Sequence, residues 1–465
     1  MGASLSLAAA APPAISDLSV GDRQGLHLTL YQDNRGLVRE SYRFHHPAGR
    51  SLLRLDRVPA AMEPRSVQAT FDPEGIRLLE QRHEQDLLTP RRLLETYLDK
   101  QVVLLFSTMD GGERRVPATL LSARDGIVVR AGDEILVNPD AQLIFPGLPP
   151  GVVSRPAVVW EIEAARAGDA LLELSYITGG QNWSTDYVAS LAADDRMLDL
   201  TVWVTVENNT EVAYDNTGLS LVAGQVHRAV PAARGMLMAM ESGGMRSRGQ
   251  QESAFTSEQA MDFHLYRLGR KVNLPAHSSR QFVLHQARSV PVHRRHVVSA
   301  GGMFLQRRSP AGDPIRVPVE SRLEFVNSGD HGLGLPLPSG IARVFQDQAD
   351  GGRVFLGSDR LPGTADGETI SLIMGNSFDL VAERTQTDYR QLPGVRRGYE
   401  AAFRYDLRNR GPEDMEIDIR DPVPGDWELL ESSVEFSRPD ASTLAFRVTV
   451  AAGGQTTISY RVRVR

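Results

Sequence analysis

Residues 198–207 read Leu-Asp-Leu-Thr-Val-Trp-Val-Thr-Val-Glu, and this run decides the fold class. Leu198, Leu200, Val202, Val204 and Val206 fall on one face of an extended chain, and Asp199, Thr201, Trp203, Thr205 and Glu207 on the other. Successive side chains of a β-strand point to opposite faces, so alternation with one apolar side marks a strand that covers a core on that side. The device recurs towards the C-terminus. Tyr399, Ala401, Phe403, Tyr405 and Leu407 alternate with Glu400, Ala402, Arg404, Asp406 and Arg408, and Met415, Ile417 and Ile419 alternate with Glu416, Asp418 and Arg420. Leu444, Phe446, Val448 and Val450 precede a turn at Gly453-Gly454, and Ile458, Tyr460, Val462 and Val464 follow it. The pattern predicts a mainly β protein of tandem antiparallel β-sandwich domains.

One short helix is expected in the N-terminal third, over 89–100. Thr89 can cap it, Pro90 suits its first position, and Leu88 can staple onto Leu93. Leu93, Leu94, Tyr97 and Leu98 form one apolar stripe, which points to a packing helix.

A chain of 465 residues exceeds one ordinary core and suggests about three or four domains. Turn-rich stretches place the boundaries. An N-terminal β domain is expected over 26–82, with a hairpin at Asp33 to Gly36. A small SH3-like barrel is expected over 101–146, followed by a proline- and glycine-rich linker from Pro146 to Pro156. A β-sandwich over 157–300 carries a mobile loop at 236–258, and a last sandwich spans 314–465. Residues 1–15 read as a residual signal-like or disordered segment. Ala3 to Ala11 are small and apolar and precede Pro12-Pro13, like the end of a secretory signal with its Ala-x-Ala pattern, although no basic residue precedes Arg23. This start predicts a periplasmic or extracellular location. No apolar run is long enough to cross a bilayer as a helix.

Composition narrows the chemistry. A formal charge of −7 argues against nucleic-acid binding that rests on phosphate neutralisation. Lysine occurs only at Lys100 and Lys271, which leaves little for Schiff-base catalysis. Zero cysteines exclude disulfides, thiolate zinc sites, iron–sulfur clusters and a cysteine nucleophile. His83-Glu84 begins like a zinc-protease motif but lacks the second histidine. His285, His293 and His296 lie among Arg288, Arg294 and Arg295, whose charges oppose a metal ion. Met236, Met238 and Met240, with Met245 nearby, suit an adaptable apolar loop better than a copper(I) site. No G-x-S-x-G elbow, phosphate loop or dinucleotide fingerprint occurs. Neither a catalytic set, a metal site nor a cofactor site is expected.

One cluster stands out as a possible partner-binding surface: Tyr176, Trp183, Asp186 and Tyr187, where a strand is expected to end at Gly179-Gly180 and a polar aromatic turn to follow. Exposed aromatics flanked by acids can stack on sugar rings or anchor a protein; the alternative is a tryptophan plug closing the sandwich edge. A second pattern is an amphipathic strand stopping at asparagine: Asn208 before Asn209-Thr210, Asn327 before Ser328-Gly329, and Asn409 before Arg410-Gly411. Asparagine tolerates left-handed backbone angles and caps turns through its side chain.

Three blocks carry a family resemblance. The first is Leu174-Ser175-Tyr176-Ile177-Thr178-Gly179-Gly180, with Trp183, Tyr187, the strand to Asn208 and Leu221-Val222-Ala223-Gly224. The second is Tyr266-Arg267-Leu268 with Val272-Asn273-Leu274-Pro275. The third holds Leu337-Pro338-Ser339-Gly340, Val344-Phe345-Gln346, Gly375-Asn376-Ser377-Phe378-Asp379, Glu383 to Tyr389, and Pro424-Gly425-Asp426-Trp427-Glu428. On these residues the C-terminal two-thirds resembles a bacterial domain of unknown function found in mucoidy-inhibitor-A-like envelope proteins. The coiled coil that precedes this domain in longer relatives has no counterpart here. The resemblance implies an exported β-sandwich protein without an established enzymatic activity.

Three functions follow as expectations. The first is a non-enzymatic envelope protein whose tandem β domains bind a protein or polysaccharide partner. The second is a hydrolase of envelope glycans or peptides using carboxylates as acid and base. The third is a self-assembling structural module pairing through edge strands.

Overall fold

The computed structural model describes residues 14–72, 75–107, 111–149, 152–224, 255–260, 263–300, 312–348, 350–394 and 398–465. The protein is mainly β, with 66% of residues in strands and 4% helical, so the alternation above accounts for nearly all of the architecture. The chain divides into two compact units. Residues 1–13 and Met236, Met238, Met240 and Met245 lie outside the described residues; Ala14–Leu18 and Phe255–Ala260 are strands, so the ends of the expected 1–15 and 236–258 segments belong to sheets.

In the first unit, one sheet has the order Ala14–Leu18, Gly49–Asp56, Ala157–Ala164, Ile76–Glu84. A second contains, in order, Gln68–Asp72, Gly168–Gly179, Arg35–His46, Arg23–Tyr31 and Tyr214–Ala223. The expected separation of a 26–82 domain from a 157–300 domain does not hold. Ala157–Ala164 lies between Gly49–Asp56 and Ile76–Glu84, and Gly168–Gly179 pairs with Arg35–His46 along its whole length. Turn-rich stretches mark where the chain changes direction, which is a different thing from where strand pairing stops.

Between those halves, five strands form an antiparallel sheet in the order Glu134–Val137, Val128–Ala131, Glu113–Ser122, Gln101–Ser107, Gln142–Ile144. This is the region expected as a small barrel, but among the described pairings the two edge strands do not join, so it is an open sheet. Its core of Val102, Leu104, Ala118, Leu120 and Val129 includes Tyr97, with Leu93 and Leu94 packed against it, as expected of a packing helix. The helix is shorter than 89–100, running Pro90–Thr96 with the Thr89 side chain accepting from the Arg92 amide at 3.1 Å. It stops because the next residues pair with a strand: the Asp99 amide donates to the Leu120 carbonyl, and the Leu120 amide to Lys100.

The second unit has three sheets. One has the order Ser278–Pro291, Met197–Asn208, Gln181–Leu191, Gly340–Asp347, Arg353–Leu361. Another has the order Thr369–Asn376, Val319–Val326, His293–Ser299, Met415–Pro422, Thr443–Val450, Phe436–Asp440, and the third Ile315–Val317, Leu380–Gln391, Tyr399–Asn409, Gln455–Val464, Trp427–Ser432. The last two face each other as a sandwich, since Ile417, Ile419, Leu444, Phe446 and Val448 share one core with Phe403, Tyr405, Leu407, Ile458 and Tyr460. The division between 157–300 and 314–465 is crossed as well. Gln181–Leu191 pairs in parallel with Gly340–Asp347, and His293–Ser299 pairs with both Val319–Val326 and Met415–Pro422. Most ladders are antiparallel, but two of the three strand contacts just named, Gln181–Leu191 with Gly340–Asp347 and His293–Ser299 with Met415–Pro422, are parallel, as are Ala14–Leu18 with Gly49–Asp56 and Arg23–Tyr31 with Tyr214–Ala223.

The three asparagines behave alike. Asn208, Asn327 and Asn409 are all fully buried; Asn208 and Asn409 end their strands and Asn327 directly follows Val319–Val326, and in each case the next strand belongs to a different sheet. None has a positive φ, so backbone tolerance is not what selects asparagine. The side-chain amide does the work. Asn409 Nδ2 donates to the carbonyls of Glu413 and Val450, and its Oδ1 accepts from the Gly411 amide. Asn208 repeats the spacing, donating to Val212 and Pro275 and accepting from Thr210. Asn327 ties Leu335 and Ala365 to the Gly334 amide. Each corner would otherwise bury unpaired backbone groups.

Candidate functional site

The expected aromatic surface is a core. Gln181–Leu191 is a continuous strand in which Gln181, Trp183, Thr185, Tyr187, Ala189 and Leu191 are buried by strict alternation. Gly179-Gly180 therefore does not open a loop; Gly180, at φ 78°, is the single link between two strands of different sheets. Tyr176, Trp183 and Tyr187 are each 1% exposed or less, too deep to stack on a ligand. The Tyr187 hydroxyl donates to the Pro338 carbonyl, and Asp186, on the opposite face of the strand, forms an ion pair with Arg343 at 2.6 Å. Removing Trp183 would open a cavity rather than strip a surface.

Tyr176 joins a different group. Its hydroxyl lies 3.5 Å from the buried Glu40 carboxylate, which also receives Arg23 at 3.3 Å and is hydrogen-bonded to Tyr42. Burial raises the Glu40 carboxyl above its ordinary 4.5, with Arg23 and then the phenols pulling the other way. A raised carboxyl is what a general acid needs, but the partners here are a guanidinium and phenols on one sheet face rather than a second carboxylate across a cleft. The shift has a consequence for stability. The folded chain keeps this proton at pH values where the unfolded chain has lost it, so the contribution is complete below about 4.5 and is lost as pH rises through the folded value. The stability of the parent minus that of Glu40→Gln is thus expected to grow as pH falls from neutral towards 4.5. Urea midpoints across that range check it, and a constant difference would contradict the shift.

A cleft that the local patterns did not reveal lies in the second unit, with a volume of about 300 Å³. Two β-bulges shape it. In the hairpin of Gly340–Asp347 with Arg353–Leu361, Val344 pairs with Gly357 and Phe345 with Phe355, leaving Leu356 as the extra residue. Between Val319–Val326 and Thr369–Asn376, Ser321 pairs with Gly375 and Arg322 with Ile373, leaving Met374 extra. A bulge re-aims the residue it inserts, and both Leu356 and Met374 line the cleft. Gly357 is required beside the first bulge: at φ 158°, a Cβ there would sit 2.9 Å from the Met374 carbonyl oxygen. Leu191 and Leu323 add to the apolar lining, and Phe378 stands beside it 94% exposed.

The polar lining comprises Asp195, Arg294, Ser321, Arg322, Gln346, Asn376 and Ser377. Asp195, held in the left-handed region at φ 59°, accepts from Arg294 at 2.9 Å and from the Gln346 amide. Arg322 pairs with Glu320 at 2.6 Å. Among the described lining residues Asp195 is the one carboxylate, so the site offers hydrogen bonds and an aromatic ring but not two acids facing each other. Two segments of the third sequence block above, Val344-Phe345-Gln346 and Gly375-Asn376-Ser377-Phe378-Asp379, meet here through Gln346 and through Gly375 to Phe378. Alternation could not find the cleft, because a bulge is a local break in alternation.

No group of three or more metal-ligating side chains is present among the described residues, and none of their helices is long and apolar enough to cross a membrane. No family model matches the chain, and no curated protein matches it.

Proposed function

We propose that the chain is a non-enzymatic, exported cell-envelope protein of the mucoidy-inhibitor-A-like kind its sequence resembles, and that it binds a protein or polysaccharide partner at the Phe378 cleft. The observation that carries this reading is the composition of the cleft. An exposed phenylalanine and an apolar floor made by two bulges stand beside a carboxylate already held by Arg294 and Gln346. Such a site holds a ligand by contact and hydrogen bonding, and its one acid is engaged in ion pairing instead of standing ready to move a proton. The alanine-rich start supports export.

Retention from envelope extracts on the immobilised protein tests the reading. A species captured by the parent and lost with Phe378→Ala is the expected result. Because Phe378 is almost fully exposed, this substitution leaves the core untouched. Equal capture by both proteins would remove the cleft from consideration, and a wholly cytoplasmic distribution on cell fractionation would remove export.

A further inference from the structure

We infer that the occupant of the Phe378 cleft is an uncharged saccharide; this deepens the reading above and rests on it. Three features of the cleft choose this chemistry.

The first is charge. The ionic groups of the lining are already neutralised within the protein, Asp195 by Arg294 and Arg322 by Glu320. A charged ligand would have to break one of these pairs to gain its own, whereas a neutral ligand leaves both intact.

The second is the form of the hydrogen-bonding groups. Ser321, Asn376, Ser377 and Gln346 supply hydroxyls and amides, while Leu356, Met374 and Phe378 supply apolar surface, the last as an exposed ring. A sugar ring has this double character, with hydroxyls on its edge and C–H groups on its face. The face can lie against an aromatic ring while the edge meets amides and hydroxyls. A volume of about 300 Å³ has room for about one or two such rings.

The third separates a saccharide from a peptide. Extended peptides dock by adding a strand to a free sheet edge. Arg353–Leu361 and Thr369–Asn376 are edge strands of their sheets, but beside the cleft they close on each other. The Ile373 amide is taken by the Asp359 carboxylate at 2.8 Å, and Gly357 sits directly against the Met374 backbone. The cleft therefore offers side chains to a ligand and not an open backbone ladder.

Isothermal titration of the full chain with maltohexaose, cellohexaose and N-acetylated chitohexaose, and with hexagalacturonate as the charged comparison, tests the inference. The expected result is saturable binding of at least one neutral hexamer, weakened about tenfold or more by Phe378→Ala and less than twofold by Phe436→Ala, an exposed ring elsewhere. Binding of hexagalacturonate alone would overturn the argument from charge. Binding of no hexamer, or binding that Phe378→Ala leaves unchanged, would overturn the saccharide assignment. If Phe378-dependent capture of an envelope protein persists in that last case, the cleft remains a binding site and only its ligand class is wrong; if that capture also fails, both readings fall.

Discussion

Replacing Asp421 by asparagine is expected to lower stability by about 3–5 kcal/mol, the range for removing one member of a buried ion pair. Asp421 is fully buried inside the C-terminal sandwich, where it accepts the hydroxyls of Tyr405, at 2.6 Å, and Tyr460. The Arg384 guanidinium lies 3.5 Å away, 5% exposed, with its central carbon 3.9 Å from the centre of the Phe403 ring. Burial, and then the charge of Asp421, push both phenols well above their ordinary value, so they remain donors at any physiological pH. Asparagine keeps an acceptor for a phenol but removes the negative charge that compensates Arg384. The cluster bridges the two sheets: Asp421 belongs to Met415–Pro422, while Arg384, Tyr405 and Tyr460 lie on strands of the facing sheet. Urea unfolding measures the effect. Arg384→Met with Asp421→Leu, combined with Tyr405→Phe and Tyr460→Phe, is expected to recover most of the loss, because it removes both charges together and leaves neither buried hydroxyl without its acceptor. A change within about 0.5 kcal/mol for Asp421→Asn alone would show that the pair carries no net charge compensation.

The second large effect belongs to the buried corners. Asn409→Ala leaves the carbonyls of Glu413 and Val450 and the amide of Gly411 without their side-chain partner. Each buried group left unpaired costs about 1–3 kcal/mol, and with partial relaxation a total loss of about 2–4 kcal/mol is expected. Asn409→Asp should cost nearly as much as alanine, since a carboxylate can still accept from Gly411 but cannot donate to two carbonyls. Asn34 is the contrast. It is exposed at φ 62° in a hairpin turn, where glycine serves equally well, so Asn34→Gly should stay within about 0.5 kcal/mol. Chemical denaturation of the three variants checks the ranking. An aspartate variant as stable as the parent would show that the two donated hydrogen bonds are dispensable.

These two clusters also show how far alternation reaches. The pattern of Ile417 and Ile419 continues to Asp421, and in a strand of the facing sheet Leu380 and Ala382 continue to Arg384, so both charges stand at positions that face the core. A charged residue in register with a core face is a legible sign of a buried partner, but which residue that partner is depends on the facing sheet. The asparagine corners were visible as a repeated strand ending, and the structure replaces the backbone reason with a side-chain one. Of the two readings of the aromatic cluster, an exposed surface and a tryptophan plug, burial of Tyr176, Trp183 and Tyr187 excludes the surface, which rested on Gly179-Gly180 looking like the start of a loop. Once Gln181–Leu191 is a strand, the same rule of two buries Trp183 and Tyr187 and turns Asp186 outward.

The strands Met197–Asn208, Tyr399–Asn409, Met415–Pro422, Thr443–Val450 and Gln455–Val464, the faces they bury and the near absence of helix followed from the order of apolar and polar residues, since side-chain direction in a strand is local geometry. Pairing was settled only in three dimensions. The strands flanking Gly453-Gly454 join different sheets, Arg23–Tyr31 finds a parallel neighbour in Tyr214–Ala223, and the regions on either side of the linkers share ladders. Backbone hydrogen bonds are the same for every residue type, so a strand's sequence records which side is buried and not which strand lies beside it. The cleft depends on that unrecorded pairing twice over, because Leu356 and Met374 become bulge residues only against the registers of their particular neighbours.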